Sequence, residues 1–234
     1  MPDNAVLRLR AERLAKSTRP YLARGSRVIR CQGCLLPKRN CLCSHIEPQQ
    51  ADSRFCLVMF DTEPLKPSNT GRLIADILPN TQAFMWSRTE VDPALLAAIA
   101  DTTRQPYVVF PASFVEPPRP VFTALPLGGK PPLFIMLDGT WNEARKMFRK
   151  SPYLDGLPVF SLDVSAKSSY VLRESPREDQ HCTVEVAAAL LEKSGDIQAS
   201  ESMSGLFGLF RTQYLAGKPH HPVHQLTANS DESL

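Results

Sequence analysis

The chain has 234 residues, 43% of them apolar, and a formal net charge of +3. That is enough for one sizeable domain, or one domain with an appendage. No apolar run approaches the ~18 residues of a membrane-spanning helix. The first thirty residues are too charged for a secretory signal, so the six cysteines are expected to be reduced and the compartment to be the cytoplasm.

The first element in chain order is a basic helix over residues 4–24, with Val6, Leu7, Leu9, Leu14 and Leu22 set among cations. Residues 1–50 hold ten Lys/Arg against three acids, hence +7, and the remainder holds 17 basic and 21 acidic residues, hence −4. A basic arm on a mildly acidic body suits a polyanion such as nucleic acid, although a solvated basic helix has the same composition. Next comes CQGCLLPKRNCLC, which places Cys31, Cys34, Cys41 and Cys43 within thirteen residues. A C-x2-C pair followed by C-x-C is a tetrahedral thiolate set suited to structural zinc. The alternative is four reduced thiols facing solvent. His45 ranks below Cys43 as a ligand. Cys56 and Cys182 read as small buried hydrophobes.

From residue 55 the texture changes to short apolar runs separated by helical stretches. FCLVMF (55–60), AFMW (83–86), YVVF (107–110), LFIML (133–137) and PVFSL (158–162) read as strands, and YVL (170–172) as a further one. GRLIADIL (71–78), PALLAAIA (93–100), WNEARKMFRK (141–150) and TVEVAAALLEK (183–193) read as helices, the last with Thr183 as N-cap and Gly195 as its stop. Strands apolar throughout, alternating with helices, predict an α/β domain with a mostly parallel sheet flanked by helices. The predicted organisation is a basic helix and zinc module over 1–50, a catalytic body over 51–217 and a flexible tail over 218–234.

The stretch LFIMLDGTWNEARKMFRKSP carries the sharpest local signal. Thr140 and Glu143 form a capping box that starts a helix at Trp141. Asp138 then lies at the carboxyl end of a strand, the edge where open parallel sheets bind ligands, and Gly139 permits a sharp turn or a close approach. Trp141, Ala144, Met147 and Phe148 share one helical arc, and Arg145, Lys146, Arg149 and Lys150 share another. From spacing alone, Asp138 serves equally as an extra cap and Trp141 as a core residue.

DGTW with RK downstream resembles the signature of the DTW-domain family. EPLKPSNTGRL (63–73), VVFPAS (108–113), LDGTWNEARKM (137–147), YVLRE (170–174) and TVEVA (183–187) follow the cysteine cluster in the family's order, so the likeness runs from about residue 30 to 215. Where many relatives have a histidine, this sequence has Asp61, which is therefore given no role. Its bacterial members are described as tRNA-uridine aminocarboxypropyltransferases. The resemblance implies a fold similar to the knotted SPOUT methyltransferases. It also implies S-adenosylmethionine as donor of a 3-amino-3-carboxypropyl group and N3 of a tRNA uridine as acceptor. The sequence leaves the oligomeric state open, with a monomer slightly favoured.

Under that resemblance the catalytic candidates are Asp138, as general base or as anchor of the donor ammonium, and Trp141, packed on the adenine or sulfonium. The donor candidates are Pro111, Ala112, Ser113, Leu137, Gly139, Thr140, Trp141, Tyr170, Leu172 and Arg173. The tRNA candidates are Ser68, Asn69, Thr70, Arg72, Arg145, Lys146, Arg149 and Lys150. Plain helix capping explains Ser68–Thr70 as well, and a surface position explains Arg173. Two competing readings are an RNA methyltransferase on the same donor and a zinc-containing RNA-binding protein without catalysis.

Overall fold

The computed structural model describes residues 4–18, 28–162 and 182–217. The strand expected at 170–172 and the tail after 217 lie outside these residues.

The sheet has six strands: β1 (Arg54–Met59), β2 (Gln82–Met85), β3 (Gln105–Val109), β4 (Val121–Phe122), β5 (Pro132–Asp138) and β6 (Val159–Phe160). Their order is β2-β1-β5-β3-β6-β4, and every neighbouring pair is parallel. The expected strands are present with ends shifted by a residue or two; β4, two residues at the sheet's edge, was not anticipated. Side chains alternate faces along each strand, so Phe55, Tyr107, Phe134 and Phe160 share one side. Phe134 meets the other three at ring-centroid distances of 5.5, 6.4 and 5.6 Å, a band of aromatic contacts across four strands.

Helices cover both faces. On the face bearing Phe134 lie α1 (Ala5–Ala15), α2 (Gly71–Ile77), α5 (Thr183–Lys193) and α6 (Ile197–Ala216). The opposite face carries α3 (Pro93–Ile99) and α4 (Trp141–Arg149). All seven residues of α2 are buried, because α1, α5 and α6 enclose it. Sequence reading missed α6, a 20-residue helix. Two expectations need adjustment. The basic helix, read as 4–24, is described over Ala5–Ala15. The N-cap of α5 is Cys182 rather than Thr183: Glu185 accepts from the Cys182 amide, while the Thr183 hydroxyl is used elsewhere. Gly195 does end that helix, at φ +84°, a backbone state that glycine adopts without strain.

The N-terminal segments are not peripheral to the core. The Asn4 side chain accepts from the amides of Val6 and Leu7, capping α1, and donates to the Arg72 carbonyl and to Asp76. Val6 and Leu9 of α1, and Cys34, Leu36 and Leu42 of the cysteine loop, enter the same core cluster as the sheet and α6. Asn40 donates to Gln213 of α6 at 3.0 Å. Among the described residues, no helix is long and apolar enough to cross a membrane.

Candidate active site at the carboxyl edge of the sheet

Asp138 is the last residue of β5, the third strand in a sheet of six, and is only 3% exposed. Strand alternation sends its carboxylate to the side of Phe134 and Met136, where α2 and α5 begin. Asn69 Nδ2 donates to Oδ2 at 2.7 Å and Thr183 Oγ1 donates to Oδ1 at 2.6 Å. Gly71 opens α2 so close by that a Cβ there would lie 2.7 Å from Oδ2. The absence of a side chain is what lets this helix approach the acid. Asn69 serves both readings of its loop: its oxygen accepts from the Arg72 amide, capping α2, and its nitrogen faces the carboxylate.

A second carboxylate stands next to the first. Asn69 Nδ2 reaches Glu63 Oε2 at 3.4 Å, and Lys66 pairs with Glu63. Burial raises the Asp138 carboxyl and the Glu63 charge adds to the rise. The hydrogen bonds from Thr183 and Asn69 and the Lys66 charge oppose it, and the result is about 6. Such a group is ionised at neutral pH yet is a stronger base than a solvated carboxylate. Glu63, Lys66 and Thr183 were absent from the sequence-derived site. Glu63 and Lys66 do lie within EPLKPSNTGRL, and Thr183 opens TVEVA, so the motifs contained them without showing what they contact.

The other candidates fall into separate groups. Ser68 is half-buried and Thr70 buried, both beside Asn69. Arg72 turns inward: it is 1% exposed, pairs with Asp76 at 2.6 Å and lies over the Phe210 ring. Leu137 packs on the opposite face, with the α3–α4 layer. A Cβ on Gly139 would approach Glu143 Cβ at 3.0 Å and Phe60 Cβ at 3.3 Å, so the turn into α4 is tightly packed. Glu143 accepts from both the amide and the hydroxyl of Thr140, realising the expected link at the helix start. Trp141 is half-buried on the α3–α4 side. It stacks on Phe110 at 5.6 Å and meets Phe114 edge-on at 5.0 Å. Its ring and the Asp138 carboxylate therefore occupy different sides of the sheet edge.

Pro111, Ala112 and Ser113 follow β3, and the Ala112 amide donates to Ser161 Oγ at 3.0 Å. The basic arc of α4 points outward: Lys146, Arg149 and Lys150 are exposed, and Arg145 is half-buried over the Phe114 ring. Tyr170, Leu172 and Arg173 lie outside the described residues.

The four clustered cysteines converge, with every Sγ within 4.8 Å of the others. Cys31–Cys43, Cys34–Cys41 and Cys31–Cys41 are separated by 3.6, 3.7 and 3.5 Å. Four sulfurs bonded to zinc at about 2.3 Å in a tetrahedron stand about 3.8 Å apart, so the thiols fit a metal ion of that kind. The loop is built for it. The Cys31 amide donates to Leu36 O, the Leu35 amide to Cys31 O, and Leu35 takes φ +59° to turn the chain. Burial opposes ionisation of Cys31, but amide hydrogen bonds from Cys34 and Gly33 and contacts with Cys41 and Cys43 bring its thiol down to about 6.

An all-parallel sheet with helices on both faces is the architecture of open α/β proteins. A family model described as the DTW domain matches residues 28–215, and the chain belongs to that family. It is 25% identical over 175 residues to the tRNA-uridine aminocarboxypropyltransferase 2 of Mus musculus, a match covering 72% of this chain and 58% of that protein. The protein of the same name from Macaca fascicularis is 25% identical over 177 residues, with the same coverage. The chain thus spans less than two thirds of the length of these curated relatives. No solved structure matches it.

Proposed function

We propose that this protein moves the 3-amino-3-carboxypropyl group of S-adenosylmethionine onto N3 of a uridine in tRNA. The observation that carries this reading is Asp138. This acid, within the stretch that resembles the DTW signature, is buried at the carboxyl end of a parallel strand with its carboxyl raised to about 6, which supports the reading.

Uridine N3 gives its proton to Asp138 and attacks the γ-carbon of the donor's aminocarboxypropyl chain. The C–S bond breaks, and its electron pair remains on sulfur in methylthioadenosine. Which of the three carbons on the sulfonium reacts is decided by which one lies in line with N3. Glu63 and Asp138 together make an anionic corner that suits a donor carrying a sulfonium and an ammonium. If Asp138 instead holds that ammonium, the proton leaves to water. The amides of Gly139 and Trp141, at the start of α4, bind the donor carboxylate in this reading.

Zinc, held by Cys31, Cys34, Cys41 and Cys43, is structural in this reading. Four thiolates fill its coordination shell, and its role is to fix the loop that carries Leu36 and Leu42 into the core. The basic N-terminal segment and the outward arc of α4 bind tRNA, and residues 51–217 form the catalytic body. The knotted, SPOUT-like fold belongs to the same proposal, supported by the parallel sheet with helices on both faces. So do a cytoplasmic location and action as a monomer.

Mass spectrometry of tRNA nucleosides after incubation with S-adenosylmethionine tests the reading. Aminocarboxypropyluridine with methylthioadenosine is expected. S-adenosylhomocysteine would mark a methyltransferase instead, and tRNA binding with no donor binding would mark a non-catalytic RNA-binding protein.

A further inference from the structure

The side of the sheet edge away from the Asp138 carboxylate carries a cleft of about 320 Å3, between α4 and the short turn Ala112–Phe114. Its floor is aromatic: Phe110 and Phe148 stack face to face at 4.1 Å and 5°. Phe114 stands at the mouth, 43% exposed, with Trp141 edge-on to it. Arg145 and Arg149 also line the cleft. They lie one helical turn apart on α4 and so share a face, and the Arg145 guanidinium is 5.3 Å from the centre of the Phe114 ring. Glu116 and Ser113 line the cleft as well.

A large ring left open to water costs free energy unless something covers it. Rings interleaved with guanidiniums are what proteins offer to an unstacked base and its phosphate. The volume lies at the lower end of small-ligand sites, enough for one nucleotide and too little for a duplex.

We propose that this cleft is a nucleotide subsite. A base lies against Phe114 over the Phe110–Phe148 floor, its phosphate bonds Arg145 and Arg149, and Glu116 accepts from a base N–H. The donor is also a nucleoside, and its carboxylate could pair with one guanidinium, but its sulfonium and ammonium leave it with a net positive charge that a cleft lined by two arginines repels. The occupant is therefore an RNA nucleotide next to the one modified, which lies at the Asp138 side of the edge. This rests on the reading of tRNA as the substrate.

The test is titration calorimetry on the full-length protein with uridine 5′-monophosphate, uridine and S-adenosylmethionine in turn. Emission of Trp141 is followed in parallel in a Trp86→Phe background. The monophosphate is expected to bind about tenfold more tightly than uridine, through its charge-assisted bonds, and to change Trp141 emission. Phe114→Ala should abolish that change and weaken tRNA binding about tenfold. Arg149→Gln should weaken the monophosphate without affecting uridine. Unchanged tRNA binding in Phe114→Ala overturns the proposal. Competition between S-adenosylmethionine and the monophosphate also overturns it, and assigns the cleft to the donor. These are binding measurements, so a failure of group transfer would sink the proposed reaction and leave the subsite standing. Transfer with no monophosphate binding would do the reverse.

Discussion

Replacing Asp138 by Asn separates the chemical from the structural role of this carboxyl group. The amide keeps the size of the side chain. Its oxygen can accept from Asn69 Nδ2, and its NH2 can donate to the Thr183 hydroxyl, which can itself turn to accept. Against the protonated carboxyl of the wild type, the amide's altered hydrogen bonds cost about 1 kcal/mol, an offset that does not vary with pH. The pH-dependent part has the opposite sign. Folding raises the wild-type carboxyl from 3.8 to about 6, so the folded protein binds this proton more tightly than the unfolded chain. The associated stability is present below about pH 4 and is lost as pH rises through 6. At about 1.4 kcal/mol per pH decade, the loss is about 3 kcal/mol. The asparagine variant does not titrate there. Denaturant unfolding between pH 4 and 7 should therefore show the variant gaining about 2 kcal/mol on wild type across that window. Release of methylthioadenosine should fall by about 10²–10⁴. If Asp138 is the base, the wild-type rate rises with pH through about 6 and the variant lacks that limb. If it anchors the donor, the variant binds S-adenosylmethionine weakly at every pH. A stability gap that stays flat with pH refutes the account of burial, and full activity in the variant refutes both chemical roles.

Other perturbations probe the surroundings. Thr183→Val removes a donor to the charged carboxylate, so the acid limb of the pH–rate profile should move to higher pH; an unmoved limb would deny the contact any influence on the reaction. Gly71→Ala pushes a methyl against Asp138 Oδ2, and overpacking of this kind costs about 1–3 kcal/mol, which thermal unfolding would register alongside a loss of transfer. Metal analysis of protein purified without chelator should find one zinc per chain. Cys34→Ser should lose it and lower the unfolding temperature more than it changes donor affinity; a metal-free wild type would end the zinc reading. Replacing Arg149 and Lys150 by Gln should weaken tRNA binding and flatten its salt dependence, and unchanged binding would remove α4 from the RNA surface.

The strand–turn–helix from Leu133 to Arg149 was legible because each of its signals is local: an apolar run, a glycine, a capping pair and a 3.6-residue period. The partners of its acid were not. Asn69 and Thr183 lie 69 and 45 residues away along the chain, and each by itself reads as an ordinary residue at a helix entry. Arg72 was assigned to RNA because it sits among motif residues, yet Asp76 four residues on was a visible partner for an inward arginine. α6 escaped notice because Ser, Gly and Thr interrupt its apolar positions, while Ala199, Met203, Phe207 and Phe210 are buried. β4 is too short for any period to show. The cysteine cluster was the reverse case, since spacing alone gathered ligands that the fold then brings within reach of one ion.

The place of β5 in the sheet has a consequence for synthesis. The strand stands between β1 and β3, yet it leaves the ribosome after both of them. β3 also borders β6, which emerges later still. A nascent chain that ends before residue 132 can pair β1 with β2, but the apolar edges at 54–59 and 105–109 have no neighbour. That is the interval in which unpaired strand edges expose the chain to misassembly. When β5 arrives it joins both edges, and the last of its residues to arrive is Asp138. The carboxylate thus reaches its place only when β5 has joined β1 and β3.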